Sequence, residues 1–445
     1  MGIPHLQAVI IRRALVLMGS FGHGFMMRLY RVGIIIAAAC GHAKARGWLA
    51  MRRNRLDALR SATSRLKPGQ QWMWFHCASV GEYEQARPVM ESWRTLHPDD
   101  AFLLSFYSAS GWDAFAHRQP EWWAATDHVT AMPLDVGAAV RCFIEAAGGP
   151  AHLKGLLFAK YDVWPTLVSL LTTNGVPVGL FAGHVLPGRW PFRFGGGYHR
   201  QAWRAMQSIW VQTESSLSTL KMFGISADVG GDPRFDRVLE AARQHNPDEA
   251  LQAWVNKRPC LVVGSAWQPE WDAARLAWKK GQCAIIVPHE WTSAGIAAEA
   301  IRWEAAGARP VVWSAHRSEN ARADLPDGDV LIVDATGELL DAYAVADFAV
   351  VGGGFGHGVH NTLEPAAHGK WILVGPRVAR FAEVAALEKA GGLTVCDSHA
   401  DLCVAIGLAF LDLESTRLLG VNAEAYVRRN SGAGKTIAEG WSKAL

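Results

Sequence analysis

From Trp72 onward the apolar positions fall in short unbroken runs, not in alternation. "WMWFHCASV", "AFLLSFYS", "HVTAMPLD", "LKGLLFAK", "VPVGLFAG" and "SIWVQT" each hold three to seven apolar residues. Among them lie helical-period segments, "EYEQARPVMESWRTL" and "VWPTLVSLLTTNG". Strands buried on both faces read as continuous apolar runs, and their alternation with helices predicts parallel βαβ units. Around residues 237–258 the texture turns polar and helical, "RVLEAARQHNPDEALQAWVNKRP", and is read as a linker. The rhythm then restarts with "CLVVGSA", "CAIIVPHE", "PVVWSA", "DVLIVDATGEL", "FAVVGGG" and "WILVGP". The expected fold is α/β, with two Rossmann-like domains, residues 71–236 and 259–445, facing a central cleft. Ligands are expected at the carboxyl ends of the strands. A chain of 445 residues is long enough for two such cores.

Residues 1–70 differ. Twelve Lys/Arg stand there against a single acid, Asp57, interleaved with the apolar runs "AVII", "ALVLMGSFGHGFMM" and "VGIIIAAAC". The longest run, Ala14 to Met27, is shorter than the ~20 residues that span a bilayer. No small-residue cleavage site follows it, so a removed signal peptide is not expected. The segment reads as a basic amphipathic element on an anionic membrane surface. A buried first helix with a solvated basic face is the alternative.

Composition narrows the class. Seven cysteines are scattered without a C-x-x-C pair, which argues against a disulfide framework or zinc knuckle and for a reducing compartment. No aromatic-plus-basic module accompanies the basic segment, so nucleic acid is not an expected partner.

Four constellations carry candidate chemistry, each just after an expected strand. The first is "GGGFGHGVHNTLE". No register gives G-x-G-x-x-G, so it is not a dinucleotide fingerprint. His357, His360 and Glu364 lack a further spaced ligand for a metal site. What remains is a helix start at Asn361, Thr362, Leu363 and Glu364 beside glycine-rich backbone, suited to a phosphate; a capping box with Asn361 as N-cap and Glu364 at N3 fits equally. The second is "HCASVGE": Ser79 and Gly81 shape a turn and place Glu82 near a helix start, as general base toward a hydroxyl or as dipole complement. Lys160 and Asp162 in "FAKYDVWP", and Arg234 in "VGGDPRFDRV", add charges that can offset a leaving phosphate.

In this order the pieces resemble the 3-deoxy-D-manno-octulosonic acid (Kdo) transferases of lipid A. The matching stretches are "HCASVGE", "SFYSASGWDAF", "MPLD", "KYDVWP", "VQTESSLSTLKMFGI", "GGDPRFD", "VVGSAW", "IIVPHE", "IVDATGELLDAY" and "VGGGFGHGVHNTLEPAAHGKWILVGP". The resemblance implies a glycosyltransferase-B fold and an inverting transfer of Kdo from CMP-Kdo to a lipid A precursor. It implies no cofactor or metal, and a place on the cytoplasmic face of the inner membrane. It puts the catalytic base on Glu82 and CMP contacts on Thr336, Gly337 and Glu338 and on Asn361 to Glu364.

The sequence departs from the family pattern in three places. Lys160 and Asp162 replace the two acids of Glu-x-Glu-x-Trp-Pro, Arg234 replaces a lysine, and Pro288-His289-Glu290 replaces Pro-Arg-His. A lysine gained and an arginine lost are expected to relocate one positive charge within the site. Two other readings stay open: a glycosyltransferase-B enzyme using another nucleotide sugar, and a membrane-bound homologue without catalysis.

Overall fold

A computed structural model describes residues 3–445 except Arg118, Tyr161, Phe194, Glu319, Asn320, Ala323, Asp324 and Arg380; for residues 3–18, 317, 318, 321 and 322 only the backbone is described. The side chains of the first apolar run, Ala8–Ile11, and Tyr161 of "KYDVWP" therefore lie outside the described residues.

The chain forms two units, residues 1–237 with 432–445, and residues 238–431. In the first unit three helices lead in: α1 (Ile3–Ala39), α2 (Ala43–Ala50) and α3 (Arg55–Thr63). A seven-stranded sheet follows, with β1 (Trp72–Cys77), β2 (Ala101–Phe106), β3 (His128–Ala131), β4 (Leu153–Ala159), β5 (Val178–Gly183), β6 (Ser208–Val211) and β7 (Asp228–Val229). Its order is β3-β2-β1-β4-β5-β6-β7 and every pairing is parallel. β1, β2 and β5 are buried along their whole length, which is why they read as unbroken apolar runs. The sheet reverses direction of growth between β1 and β4, so the crevice beyond their carboxyl ends is the topological switch point. Two helices meet it, α4 (Val80–Leu96) after β1 and α5 (Pro165–Thr173) after β4.

The second unit repeats the plan. Its seven strands are β8 (Cys260–Ala266), β9 (Cys283–Pro288), β10 (Pro310–Val312), β11 (Val330–Ile332), β12 (Phe348–Val351), β13 (Trp371–Val374) and β14 (Leu393–Val395). They lie in the order β10-β11-β9-β8-β12-β13-β14. The switch point falls between β8 and β12.

Domain limits differ from the expected ones at both ends of the second unit. The stretch read as a linker forms α6 (Arg234–Gln244) and α7 (Glu249–Val255), and most of it clusters with the second unit. Asp341 fixes it there, accepting from the His245 ring at 2.9 Å and from the Asp248 amide at 2.8 Å. The last helix, Ala433–Ala444, belongs to the first unit, not to a C-terminal domain running to 445. Asp236 caps its start by accepting from the amides of Gly432 (2.5 Å) and Gly434 (3.0 Å). Trp441 packs onto the sheet floor, where a Cβ at Gly155 would stand 2.7 Å from its ring.

Residues 1–70 likewise cluster with the first unit. Asp135, from "MPLD", accepts from the amides of Thr166 (2.9 Å) and Leu167 (2.8 Å) at the start of α5, and also contacts His23 of α1 at 2.7 Å. The opposite side of α1 is apolar and uncovered, with Phe21, Phe25, Leu29, Val32 and Ile36 exposed at steps of three and four. The helix is thus docked on one side and uncovered on the other. Among the described residues no single helix is long and apolar enough to cross a membrane; Gly19–Ala39 and Ala43–Thr63, bent by 117°, pass that test only as a pair.

Candidate functional site

At the first switch point, Ser79 is the N-cap of α4 and Glu82 stands three residues on. Glu82 Oε2 accepts both the Ser79 amide (2.7 Å) and the Ser79 hydroxyl (2.9 Å), closing a capping box. Its other oxygen, Oε1, has no hydrogen-bond partner among the described residues, and it is not sealed from solvent. Glu82 is 7% exposed. Burial raises its carboxyl above the usual range, Ser79's hydrogen bonds pull it back, Asp162 pushes it up and His76 lowers it slightly. A carboxylate with one oxygen anchored, one oxygen open and a raised pKa is fitted to take a proton.

Gly81 does not shape a turn. It lies inside the first turn of α4, and a Cβ built on it would meet nothing within 4 Å. Its lack of a side chain leaves open surface beside Glu82.

His76, inside the "HCASVGE" motif, is a site residue that the sequence alone does not single out. It is 1% exposed on β1. Trp164 Nε1 donates to His76 Nε2 at 3.2 Å, and an indole can only donate, so in the neutral ring the proton sits on Nδ1. Nδ1 lies 2.9 Å from Ser105 Oγ and 3.1 Å from the Ser105 carbonyl. Asp162 Oδ2 stands 3.6 Å from Nε2. The signal available in the sequence was the shared position of His76 and Trp164 at the ends of two strands.

Lys160 follows β4 with φ +69, a left-handed conformation uncommon outside glycine, and its amide donates to Phe181 O at 2.8 Å. Arg234 begins α6 clasped to Asp232, its Nε and a terminal nitrogen each 2.8 Å from Oδ2. Its charge is therefore already partly answered.

The second switch point carries a parallel arrangement. After β8, Glu270 holds the third position of α8 (Gln268–Ala277). Its Oε2 accepts the Trp267 amide and its Oε1 the Gly353 amide, both at 3.1 Å. Burial raises this carboxyl too.

Four amides of the glycine run are used within the fold. Gly352 N–H donates to Gly264 O at 2.9 Å, Gly353 N–H to Glu270, and Gly356 and Gly358 N–H both to Gly353 O. The glycines serve close packing: a Cβ on Gly352 would lie 2.1 Å from Ser265 O, and Gly353, at φ +91, would meet Gly358 O at 2.3 Å.

The helix after this loop, α10 once α9 (Leu339–Val345) is counted, is only Leu363–Ala367, and its N-cap is Thr362, not Asn361. Asn361 Oδ1 accepts the Leu363 amide at 3.1 Å, and Glu364 Oε1 accepts from the Asn361 side-chain amide at 2.9 Å. The box expected from Asn361 and Glu364 is thus side chain to side chain. Thr336 and Gly337 are exposed after β11, with Glu338 as N-cap of α9.

Beside these lie four rings. Trp267 stacks on His289 (5.0 Å between centroids) and His357 (4.7 Å), and His289 on His360 (4.2 Å). Trp267 Nε1 donates to His360 Nε2 at 3.2 Å. His360 is held below the usual histidine range by burial and then by the charges of His289 and His357. Among the described residues no three His, Cys, Asp or Glu side chains converge as metal ligands, His357, His360 and Glu364 included. Glu290 is exposed next to His289.

Comparisons with known proteins agree with this arrangement. The family model described as 3-deoxy-D-manno-octulosonic-acid transferase (kdotransferase) matches residues 51–237. The chain is 28% identical over 342 residues to the 3-deoxy-D-manno-octulosonic acid transferase of Bordetella pertussis, covering 70% of this chain and 73% of that protein. To the enzyme of the same name from Haemophilus influenzae it is 24% identical over 382 residues, covering 82% and 85%. In fold it is similar to a glycosyltransferase from Rickettsia africae (TM-score 0.51, 10% identity, 84% of this chain and 98% of that one). It is similarly related to Anabaena Alr3699/HepE in complex with UDP (TM-score 0.52, 12% identity, 84% and 100%). The two Rossmann-like units are those of the glycosyltransferase-B class. The family seen in the motifs is the family the comparisons return: the chain is similar to Kdo transferases, and these relatives indicate a glycosyltransferase.

Proposed function

We propose that this enzyme transfers Kdo from CMP-Kdo to a lipid A precursor, with inversion and without a metal. The observation that carries the reading is Glu82: anchored through Oε2, open at Oε1, and raised in pKa by burial at a topological switch point. In the proposed step Glu82 Oε1 takes the proton of an acceptor hydroxyl as its oxygen bonds to the anomeric carbon of Kdo. The bond from that carbon to the phosphate oxygen breaks, and CMP departs with the electron pair.

Each unit supplies half of the chemistry. The first activates the hydroxyl, with Ser79 positioning the base, His76 and Asp162 setting its charge, and Lys160 and Arg234 countering negative charge. The second holds the nucleotide through Thr336 to Glu338, His289 and Glu290, and Asn361 to Glu364. Since four of the glycine amides are used internally, part of the charge on the phosphate falls to side chains, and His289, in place of the family's arginine, packs with His360 beside Trp267 and His357. The uncovered apolar side of α1 and the basic residues near it suit an enzyme resting on the cytoplasmic face of the inner membrane, where such an acceptor presents its sugars.

The test is to incubate the purified protein with a lipid A precursor and CMP-Kdo, and to weigh the product lipid. A mass gain of one or more Kdo units supports the reading. Gain only with UDP- or GDP-sugars assigns another donor, and no gain with any donor leaves a binding protein.

A further inference from the structure

Three arginines stand around one cavity of the first unit without an acid to answer them. The cavity, about 420 Å³, is lined by Arg31 of α1, by Arg52 and Arg53 after α2, and by Arg55 at the start of α3, with Trp48 and Leu134 among its apolar walls. Arg52 is accounted for within the fold. Its terminal nitrogens donate to the carbonyls of Trp48 and Tyr107, both at 3.0 Å, and its guanidinium lies 3.5 Å over the Trp48 ring.

Arg31, Arg53 and Arg55 are different. None of their side chains makes a hydrogen bond or ion pair with a described residue, and the Nε of half-buried Arg55 is sealed from solvent without an acceptor. Asp57, the one acid on the wall, is held by Arg60 at 2.7 Å. The crowding weakens their hold on protons: burial and the neighbouring Arg31 pull Arg55 down, and burial and Arg55 push Arg52 down to about 9. Holding like charges together with an unsatisfied buried donor opposes folding, and a bound anion offsets it.

We infer that this cavity binds the phosphate of a lipid headgroup, with Arg31, Arg53 and Arg55 as its donors. Guanidinium forks match the several oxygens of a phosphate. The lipid character comes from α1, where Val32, next to Arg31 in the chain, is exposed and belongs to the uncovered apolar side with Phe25, Leu29 and Ile36. A headgroup seated in the cavity lays its acyl chains along that side. The phosphate belongs either to the acceptor lipid, a form that rests on the proposed function, or to the surrounding anionic phospholipid.

The experiment compares wild type with Arg31→Gln, Arg55→Gln and the double variant in two assays. The first is binding to phosphatidic acid vesicles against phosphatidylcholine vesicles. The second is transfer kinetics on the phosphorylated lipid A precursor against the same lipid with its phosphates removed. Loss of charge-assisted hydrogen bonds lowers affinity about tenfold or more. A rise of that size in KM for the phosphorylated acceptor alone, with kcat kept, assigns the cavity to the acceptor. A matching loss of phosphatidic acid binding, with equal KM changes on both acceptors, assigns it to membrane phospholipid. In either case the melting temperature holds or rises, because like charges have been separated. Unchanged binding and KM overturn the inference, as does a lowered melting temperature with equal losses in every assay. If wild type transfers nothing, the proposed function fails, and the vesicle assay alone decides the cavity.

Discussion

After β1 and after β8 the chain builds the same device twice. A helix starts off the central strand, its third residue is a buried glutamate, and one carboxylate oxygen turns back to the N-cap amide. Close by, a tryptophan indole donates to a histidine Nε2 at 3.2 Å, Trp164 to His76 in the first unit and Trp267 to His360 in the second. The difference lies in the second oxygen. Glu270 spends it on the Gly353 amide, whereas Glu82 keeps it open. The preceding residue differs in the same sense, Gly81 in the first unit and Pro269 in the second. A capping-box glutamate is therefore structural or available for chemistry according to what meets its outer oxygen, and helix position alone does not decide between the two.

The largest expected effect is that of Glu82→Gln. The amide oxygen still accepts from Ser79, but it cannot take a proton, and loss of a general base costs on the order of a hundredfold or more in transfer. Stability should move the other way. Glu82's folded pKa is raised, so its favourable contribution is present below the unfolded pKa and is lost as pH rises through the folded one. At neutral pH the variant should therefore melt at or above wild type, an advantage that vanishes in acid. Turnover within a few-fold of wild type removes Glu82 from the mechanism.

Glu270→Gln should do the reverse. Both carboxylate oxygens face backbone N–H groups, so the amide NH₂ must oppose one of them. A buried donor left unsatisfied costs about 1–3 kcal/mol, part of which is offset by removing a buried charge. The expected result is a lower denaturant midpoint with turnover per folded molecule kept. A hundredfold loss of turnover at unchanged stability would mean that the two glutamates are not distinguished by their outer oxygens.

How far this was legible in the sequence follows from range. The strands of both sheets were readable because burial on two faces writes a continuous apolar run, as in Trp72–Cys77. Ser79 and Glu82 were readable as a box because three residues suffice to form one. Trp164 acts on His76 from 88 positions away, and Gly353 on Glu270 from 83, so neither pairing leaves a local trace. The return of the last helix rests on Asp236 and on space above Gly155, equally remote. The triple glycine was legible as special, but its reason, contact with Ser265 and Gly358, was not.

A smaller effect is expected from Gly81→Ala. Replacing glycine within a helix stabilises by about 0.5–1 kcal/mol, and nothing stands within 4 Å of the new methyl to oppose it. If Gly81 borders the acceptor's path to Glu82, KM for the acceptor should rise while the melting temperature also rises. A higher melting temperature with unchanged KM places the acceptor elsewhere.

The smallest expected effect, a shift of less than about one pH unit, is also the most specific. Asp162 raises Glu82's pKa and His76 lowers it, both behind the larger effects of burial and Ser79. The base must be ionised to work, so transfer rises with pH through Glu82's pKa. Asp162→Asn removes a like charge, lowers that pKa and should move the acid limb of kcat/KM to lower pH. His76→Asn removes a group that lowers that pKa and should move it to higher pH. The displacement of the limb is read independently of any loss in stability. Asp162 also stands 3.6 Å from His76 Nε2. If both variants move the limb upward, the loss of Asp162's contact with His76 outweighs the loss of its own charge. The pair then acts on Glu82 as one unit, an influence that Glu270, held by two amides, has no open oxygen to pass on.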